Sequence, residues 1–177
     1  MKKIIILPIV VSALFGNVYA DESVHYDENG HTYERIDSSK SWQDAKEFCE
    51  ESEGYLATVT SNDENDFIYN ELARGVSSSI WLGGTDESRE DSWRWVNGEE
   101  WDFERWGSGQ PNDRFEGQDY LSFNSNNSRK WDDNGLPHNN DRKKFICEYD
   151  EEDDNHDDEC EATYKNGRLT IIIDICL

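Results

Sequence analysis

Cations are scarce in this chain. Its 177 residues carry 17 Lys and Arg against 40 Asp and Glu, a formal charge of −23. Phosphate backbones are gripped by clustered Lys and Arg, so nucleic acid is excluded as a partner. Long apolar runs are missing beyond the first twenty residues, which excludes membrane insertion of the body of the chain. Histidine is rare: His25, His31, His138 and His156 have no Cys or acidic partners at zinc-ligand spacing. Gly-x-Ser-x-Gly nucleophile elbows and phosphate-cradling glycine loops are absent, so the sequence gives no sign of an enzyme. Hydrophobic residues make up only 34%, yet 7 Trp, 8 Tyr and 7 Phe bury large areas per residue and argue for a compact core over disorder.

What is present begins with a leader. Lys2 and Lys3 precede an apolar stretch from Ile4 to Phe15, and Val18-Tyr19-Ala20 supplies small side chains where a signal peptidase reads. Residues 1–20 are therefore expected to be a signal peptide of bacterial type, cleaved before Asp21 and directing the protein to the periplasm or outside the cell. Removing them takes away two lysines and no acids, leaving the mature chain at −25. All four Cys remain, in a compartment that permits disulfides; four Cys allow three pairings.

Residues 21–30 are polar and expected to be a loose lead-in, and His31 to Ile36 alternates as a strand. Ser41 caps a helix whose apolar face is Trp42, Ala45, Phe48 and Cys49. Gly54 ends it and Tyr55 to Val59 reads as a strand. Ser61-Asn62-Asp63-Glu64 is a capping box for a second helix, with Phe67, Ile68 and Leu72 on its apolar face and Gly75 at its end. Further strands are expected from Ile80, at Tyr120–Phe123 and over Lys144–Glu148. Between Gly83 and Pro137 the chain is dense in Gly, Asn, Asp and Trp, the composition of a long functional loop. The fold class is thus α+β: two early helices, then antiparallel sheets bearing a long loop. Asp150 to Glu159 holds eight carboxylates in ten residues, an acidic linker lacking the glycine-bearing pattern of an EF-hand. Residues 160–177 form a small tail, with a turn at Tyr164–Gly167 and a strand from Leu169 to Ile175.

Several short motifs stand in a telling order. Trp81-Leu82-Gly83 precedes Trp93-Arg94-Trp95-Val96-Asn97-Gly98, then Gln110-Pro111-Asn112, then Trp131-Asp132-Asp133; Cys49 lies in the first helix and Cys147 in the last strand. Over residues 31–149 this arrangement resembles the C-type lectin-like domain. The resemblance implies a Cys49–Cys147 disulfide, which leaves Cys160 and Cys176 to staple the tail. A second, inner disulfide of the family is missing; Tyr120 and Leu136 hold its positions and are expected to pack as core residues.

The resemblance also implies one or two Ca²⁺ ions in a long calcium-binding loop. Ca²⁺ takes six to eight oxygens from carboxylates, amides, backbone carbonyls and water. Carried over residue by residue, the ligands of the main site are Gln110, Asn112, Gln118, Asp132 and Asp133, with a cis bond before Pro111. Gln110 and Asn112 are both amides where the family has one acid, so the site carries two formal negative charges in place of three. Asp86, Glu90, Asp113 and Asp119 fill an auxiliary site. Carbohydrate contacts are implied for Gln110, Asn112, Gln118 and Asp132, with Phe115 or Trp106 available to stack on a sugar face; Glu116 is a further candidate ligand. The function implied is a secreted, calcium-dependent lectin for cell-surface or matrix glycans or glycoproteins. The alternatives are the same module with a protein or ice ligand, or a structural adhesion component assembled through its tail.

Overall fold

A computed structural model describes residues 22–114, 117–124, 128–135, 141–150, 162–165 and 168–171. The leader, the segment 151–161, Leu136, Cys160 and Cys176 lie outside them, so the signal peptide, the acidic linker and the second disulfide do too. Helix α1 spans Trp42–Glu51 and starts as expected, with Asp44 N donating to Ser41 Oγ at 3.2 Å. Its inward residues Trp42, Ala45 and Cys49 are buried. Helix α2 (Asn62–Ile68) is capped by Ser61, but Glu64 does not close the box onto Ser61: its carboxylate accepts from Thr60 N at 2.6 Å. The second helix is also not a uniform α-helix to Gly75, because Tyr69–Ala73 widens into a π-helical turn.

Eight strands form one mixed sheet, in the order β1 (Glu22–Tyr26), β2 (His31–Lys40), β8 (Lys143–Tyr149), β4 (Ile80–Thr85), β6 (Tyr120–Phe123), β7 (Trp131–Asn134). β3 (Tyr55–Leu56) pairs with β8 and β5 (Arg94–Trp95) with β4; β4 and β8 run parallel, and the other pairs antiparallel. The lead-in is not loose. Residues 22–26 form β1, because Val24 and Tyr26 alternate with exposed Ser23 and His25 and pack on the core. The strand expected over 55–59 stops after Leu56, although Ala57, Thr58 and Val59 are buried. β9 (Ala162–Lys165) and β10 (Arg168–Ile171) make a separate antiparallel hairpin.

Cys49 and Cys147 are bonded, tying α1 to β8 across 98 residues of sequence. Beside them Trp42 stacks on Tyr120 at 4.6 Å and donates its indole N–H to Leu82 O at 2.8 Å. Tyr120, expected to pack as a core residue, is a buried, stacked aromatic; Leu136 lies outside the described residues. Gly83 is required where β4 runs against β3, since a Cβ there would sit 2.3 Å from Leu56 O. On the other side of the sheet Trp93, Trp95, Trp101, Trp106 and Trp131 pack ring on ring, with centroids 4.5–6.3 Å apart. Trp131 is fully buried and its indole donates to Asn65 Oδ1 at 2.8 Å, which anchors β7 to α2. This aromatic mound supports the long loop.

Candidate functional site

The loop side chains are brought together by three local devices. The Gln110–Pro111 peptide is cis, as expected, and sends the chain back toward β7. Asp133 then secures it: its Oδ2 accepts from Asn112 N at 2.8 Å and from Asp113 N at 2.6 Å. Asp113, at φ 37°, turns the chain again, and its Oδ1 accepts from Gly117 N at 2.6 Å and Gln118 N at 3.0 Å. Those two backbone donors hold its carboxyl below the usual range.

The main group of expected ligands is linked by hydrogen bonds. Asn112 donates its amide to Gln110 Oε1, and Gln110 in turn hydrogen-bonds Asp132. Gln118 Oε1 accepts from Arg114 N at 2.7 Å, and its Nε2 donates to Asp133 O at 3.0 Å. Burial raises the Asp132 carboxyl, opposed by hydrogen bonds from Asn134 and Gln110. Asp133 is 1% exposed, and its Oδ1 is buried without a partner.

The second expected group sits where β4 ends and β6 begins. Asp86 N donates to Asp119 O at 3.2 Å, so the two acids lie side by side. Asp86 Oδ2 accepts from Asp91 N at 2.9 Å, while Oδ1 is buried with no partner. Burial above all, with Asp119 nearby, pushes Asp86 up to about 6. Burial also raises Glu90, helped by repulsion from Asp86, Asp113, Asp91 and Asp119; Asp119 is raised by burial and then by Asp113 and Glu87. Glu90 therefore lies within electrostatic reach of the other three expected acids, and Asp119 within reach of Asp86 and Asp113. Among the described residues, no group of three or more His, Cys, Asp or Glu side chains converges closely enough to grip a metal as the side chains stand. The donor chemistry nevertheless suits a hard cation: carboxylate oxygens, one of them buried and unsatisfied, in a group that repels itself.

Other expectations fare differently. Trp106 belongs to the aromatic mound, edge-on to Trp93 at 4.8 Å, and is half-buried. Phe115 and Glu116 lie outside the described residues. Asp91 and Asn134 escaped sequence reasoning. Asn134, immediately after Asp132-Asp133, bonds Asp132 and donates to Ser122 Oγ at 2.9 Å; Asp91 was readable as a polar residue beside Glu90 but not as the turn donor to Asp86.

A second buried polar centre lies away from the loop and was not foreseen. Glu148 Oε1 is 2.5 Å from His31 Nδ1 and 3.3 Å from the hydroxyls of Tyr33 and Tyr55; its Oε2 accepts from Thr58 N at 2.7 Å. Tyr33 donates to Glu64 at 2.6 Å, so the network ties β2, β8 and α2 together. Burial, only partly opposed by Thr58 and His31, raises Glu148 to about 7.

The family described as "Lectin C-type domain" matches residues 38–149. A lectin of Pleurodeles waltl is 31% identical over 121 residues, covering 66% of this chain and 69% of its own length. Among solved structures, the mouse scavenger receptor C-type lectin carbohydrate-recognition domain is 29% identical with a TM-score of 0.61, covering 69% of this chain and 90% of its own. A calcium-independent type II antifreeze protein shares the fold at 21% identity and a TM-score of 0.63, over 79% of this chain and 98% of its own. Neither Pleurodeles nor mouse supports the bacterial origin that the leader suggested.

Proposed function

The chain belongs to the C-type lectin domain family, and from that premise we propose that it is an exported, calcium-dependent glycan-binding protein. Family members commonly bind Ca²⁺ and are generally not enzymes. The observation that carries the reading is the hydrogen-bonded cluster beside the cis Gln110–Pro111 bond, in which Asn112 joins Gln110 and Asp133, Gln110 joins Asp132 and Gln118 joins Asp133 O, with a buried, unsatisfied Asp133 oxygen. These residues would hold the ion, which supplies coordination to neighbouring sugar hydroxyls. The chain's own part is hydrogen bonding: a hydroxyl donates and accepts, a carboxylate only accepts, and an amide donates through its NH₂. Gln118 with Asp132 offers one donor and one acceptor; Gln110 with Asn112 offers two donors. Asp86, Glu90, Asp113 and Asp119 would hold a second ion that offsets their repulsion and firms the loop. The partners are cell-surface or matrix glycans and glycoproteins, with no nucleic acid. Among the described residues no helix is long and apolar enough to cross a membrane.

A glycan array run in Ca²⁺ and then in EDTA tests this reading. Retention that EDTA reverses is the expected result; no retention at saturating calcium overturns it. The second reading, a protein or ice ligand, is favoured by the hydrogen bond that Asn112 Nδ2 donates to Gln110 Oε1, which joins two of the amides expected to meet a sugar.

A further inference from the structure

Gln43, Lys46, Glu47 and Glu50 recur at helical spacing along one face of α1. Across from them stand Thr85, Glu87 and strand β5, and between the two sides lies a cleft of about 590 Å³. A second cleft of about 600 Å³ shares Glu50 and Val96 with the first and continues to His31, Tyr55, Glu99 and Asp150. The two make one elongated groove, and no residue expected to hold Ca²⁺ lines either part.

The cations of the groove are already engaged. Lys46 donates to Glu50 Oε1, Arg94 donates to Ser88 Oγ, and His31 Nδ1 is 2.5 Å from the buried Glu148. Four carboxylates, Glu47, Glu87, Glu99 and Asp150, have no Lys or Arg partner among the described residues. Three of these are oriented by neutral hydroxyls: Glu87 by Tyr120, Glu99 Oε2 by Thr58 Oγ1 at 2.8 Å and Asp150 Oδ1 by Tyr55 at 2.6 Å. A hydroxyl aims a carboxylate without neutralising it and leaves acceptor sites open. Gln43 adds a buried Oε1 with no donor, a hydrogen bond that an N–H would complete. Trp42, Trp95 and Val96 supply apolar lining, against which the alkyl stems of Lys and Arg pack while their heads reach carboxylates.

From this geometry we infer that the groove between α1 and β5 is a second recognition surface, which takes an extended basic segment of a partner protein. A small cation fills one cleft and leaves the other empty, whereas a chain spans both. The formal charge of −23 draws a cationic partner in and makes capture weaken with salt. The surface needs no ion in the loop.

Fluorescence anisotropy of labelled hexalysine with the oxidised protein tests this, in EDTA at about 0.15 M salt, where the screening length is about 8 Å. Saturation at one peptide per chain is expected. Glu87→Gln/Glu99→Gln should weaken binding at least about tenfold. Glu71→Gln/Asp102→Asn, which removes two exposed acids outside the groove, should weaken it less than about twofold. Thr58, the partner of Glu99, also touches Glu148, so Glu47→Gln/Glu87→Gln serves as a groove variant that leaves the buried network intact, with a loss of at least about fivefold expected. Absence of saturation up to millimolar peptide overturns the inference, as does equal weakening by the groove and control pairs. Spermine competing as tightly as hexalysine binds, with the same losses in the groove variants, also overturns it and makes the occupant a small polyamine. The assay contains neither calcium nor sugar, so a blank glycan array leaves this inference standing, and its own failure leaves the lectin reading standing.

Discussion

Glu148 and Asp86 are both buried carboxylates, at 0% and 2% exposure, and they sit in opposite circumstances. Glu148 lies in the framework, where β2, β3 and β8 meet, with protein groups on both of its oxygens. Asp86 lies under the loop with one oxygen satisfied by a backbone N–H and the other by nothing. A buried charge persists where hydrogen bonds replace the lost water, and an unsatisfied one marks a place where something is missing or will arrive. The contrast separates a carboxylate whose two oxygens the fold satisfies from one that keeps a buried oxygen unpaired.

The framework side of that contrast breaks most dramatically. Glu148→Ala removes the acceptor of Thr58 N and of His31 while Glu64 stays buried nearby. The expected loss is about 3–5 kcal/mol in urea unfolding, the range for breaking a buried charged network. The loss should be the same in calcium and in EDTA. A variant rescued by calcium would dissolve the distinction.

The loop side should change sign with the ion. Asp86→Asn removes a buried, half-satisfied charge, so in EDTA the variant should be as stable as the parent or slightly more so. In calcium at about 100 times its dissociation constant the parent gains about 2.7 kcal/mol, and the variant should lack most of that gain. Thermal melts in the two buffers check it. A variant destabilised equally in both buffers would place Asp86 with Glu148 as a framework residue.

The two centres were not equally legible beforehand. The loop ligands announced themselves because a proline with flanking amides, a Trp-Asp-Asp triplet and regularly placed acids are unusual in combination. The helix starts were equally plain, since capping is local chemistry between Ser41 or Ser61 and residues three positions on. Glu64 and Glu148 were invisible as network members: in a chain with 40 acids nothing in sequence distinguishes these two from the exposed ones. Glu64 read as the acid of a capping box, and its hydrogen bond from Tyr33 draws it into the core. Strand β1 was missed because five residues with two apolar side chains are too short a pattern, and its pairing with β2 decides the matter. The π turn after Ile68 has no local signature in its sequence.

Titration offers a gentler probe. Asp86 and Glu148 both hold their proton more tightly folded than unfolded, with values of about 6 and about 7 against ordinary values of 3.8 and 4.5. Between those limits the folded state binds more protons than the unfolded chain, so stability falls as pH rises. In EDTA the decline should run from about pH 4 through 7. Calcium should remove the lower part, belonging to Asp86, and leave the upper part, belonging to Glu148. A profile that calcium shifts as a whole would show the two centres to be coupled.

An exposed carboxylate sets the lower bound. Glu50 is 50% exposed and pairs with Lys46 one turn earlier on α1. The order is the weaker one for such pairs, with the cation N-terminal to the acid, and the last turn of α1 has no basic residue to meet the helix dipole. Glu50 therefore repels the helix carbonyl end while attracting Lys46, and the two effects are each a few tenths of a kcal/mol. Glu50→Gln is expected to leave stability within about 0.5 kcal/mol of the parent, whereas Lys46→Ala, which keeps the unfavourable acid and removes its counter-ion, should cost about 0.3–0.5 kcal/mol. Raising salt to 1 M should erase the second effect, because both groups are solvated and the screening length falls to about 3 Å. A cost for Glu50→Gln approaching that of Glu148→Ala would mean that exposure does not rank these carboxylates.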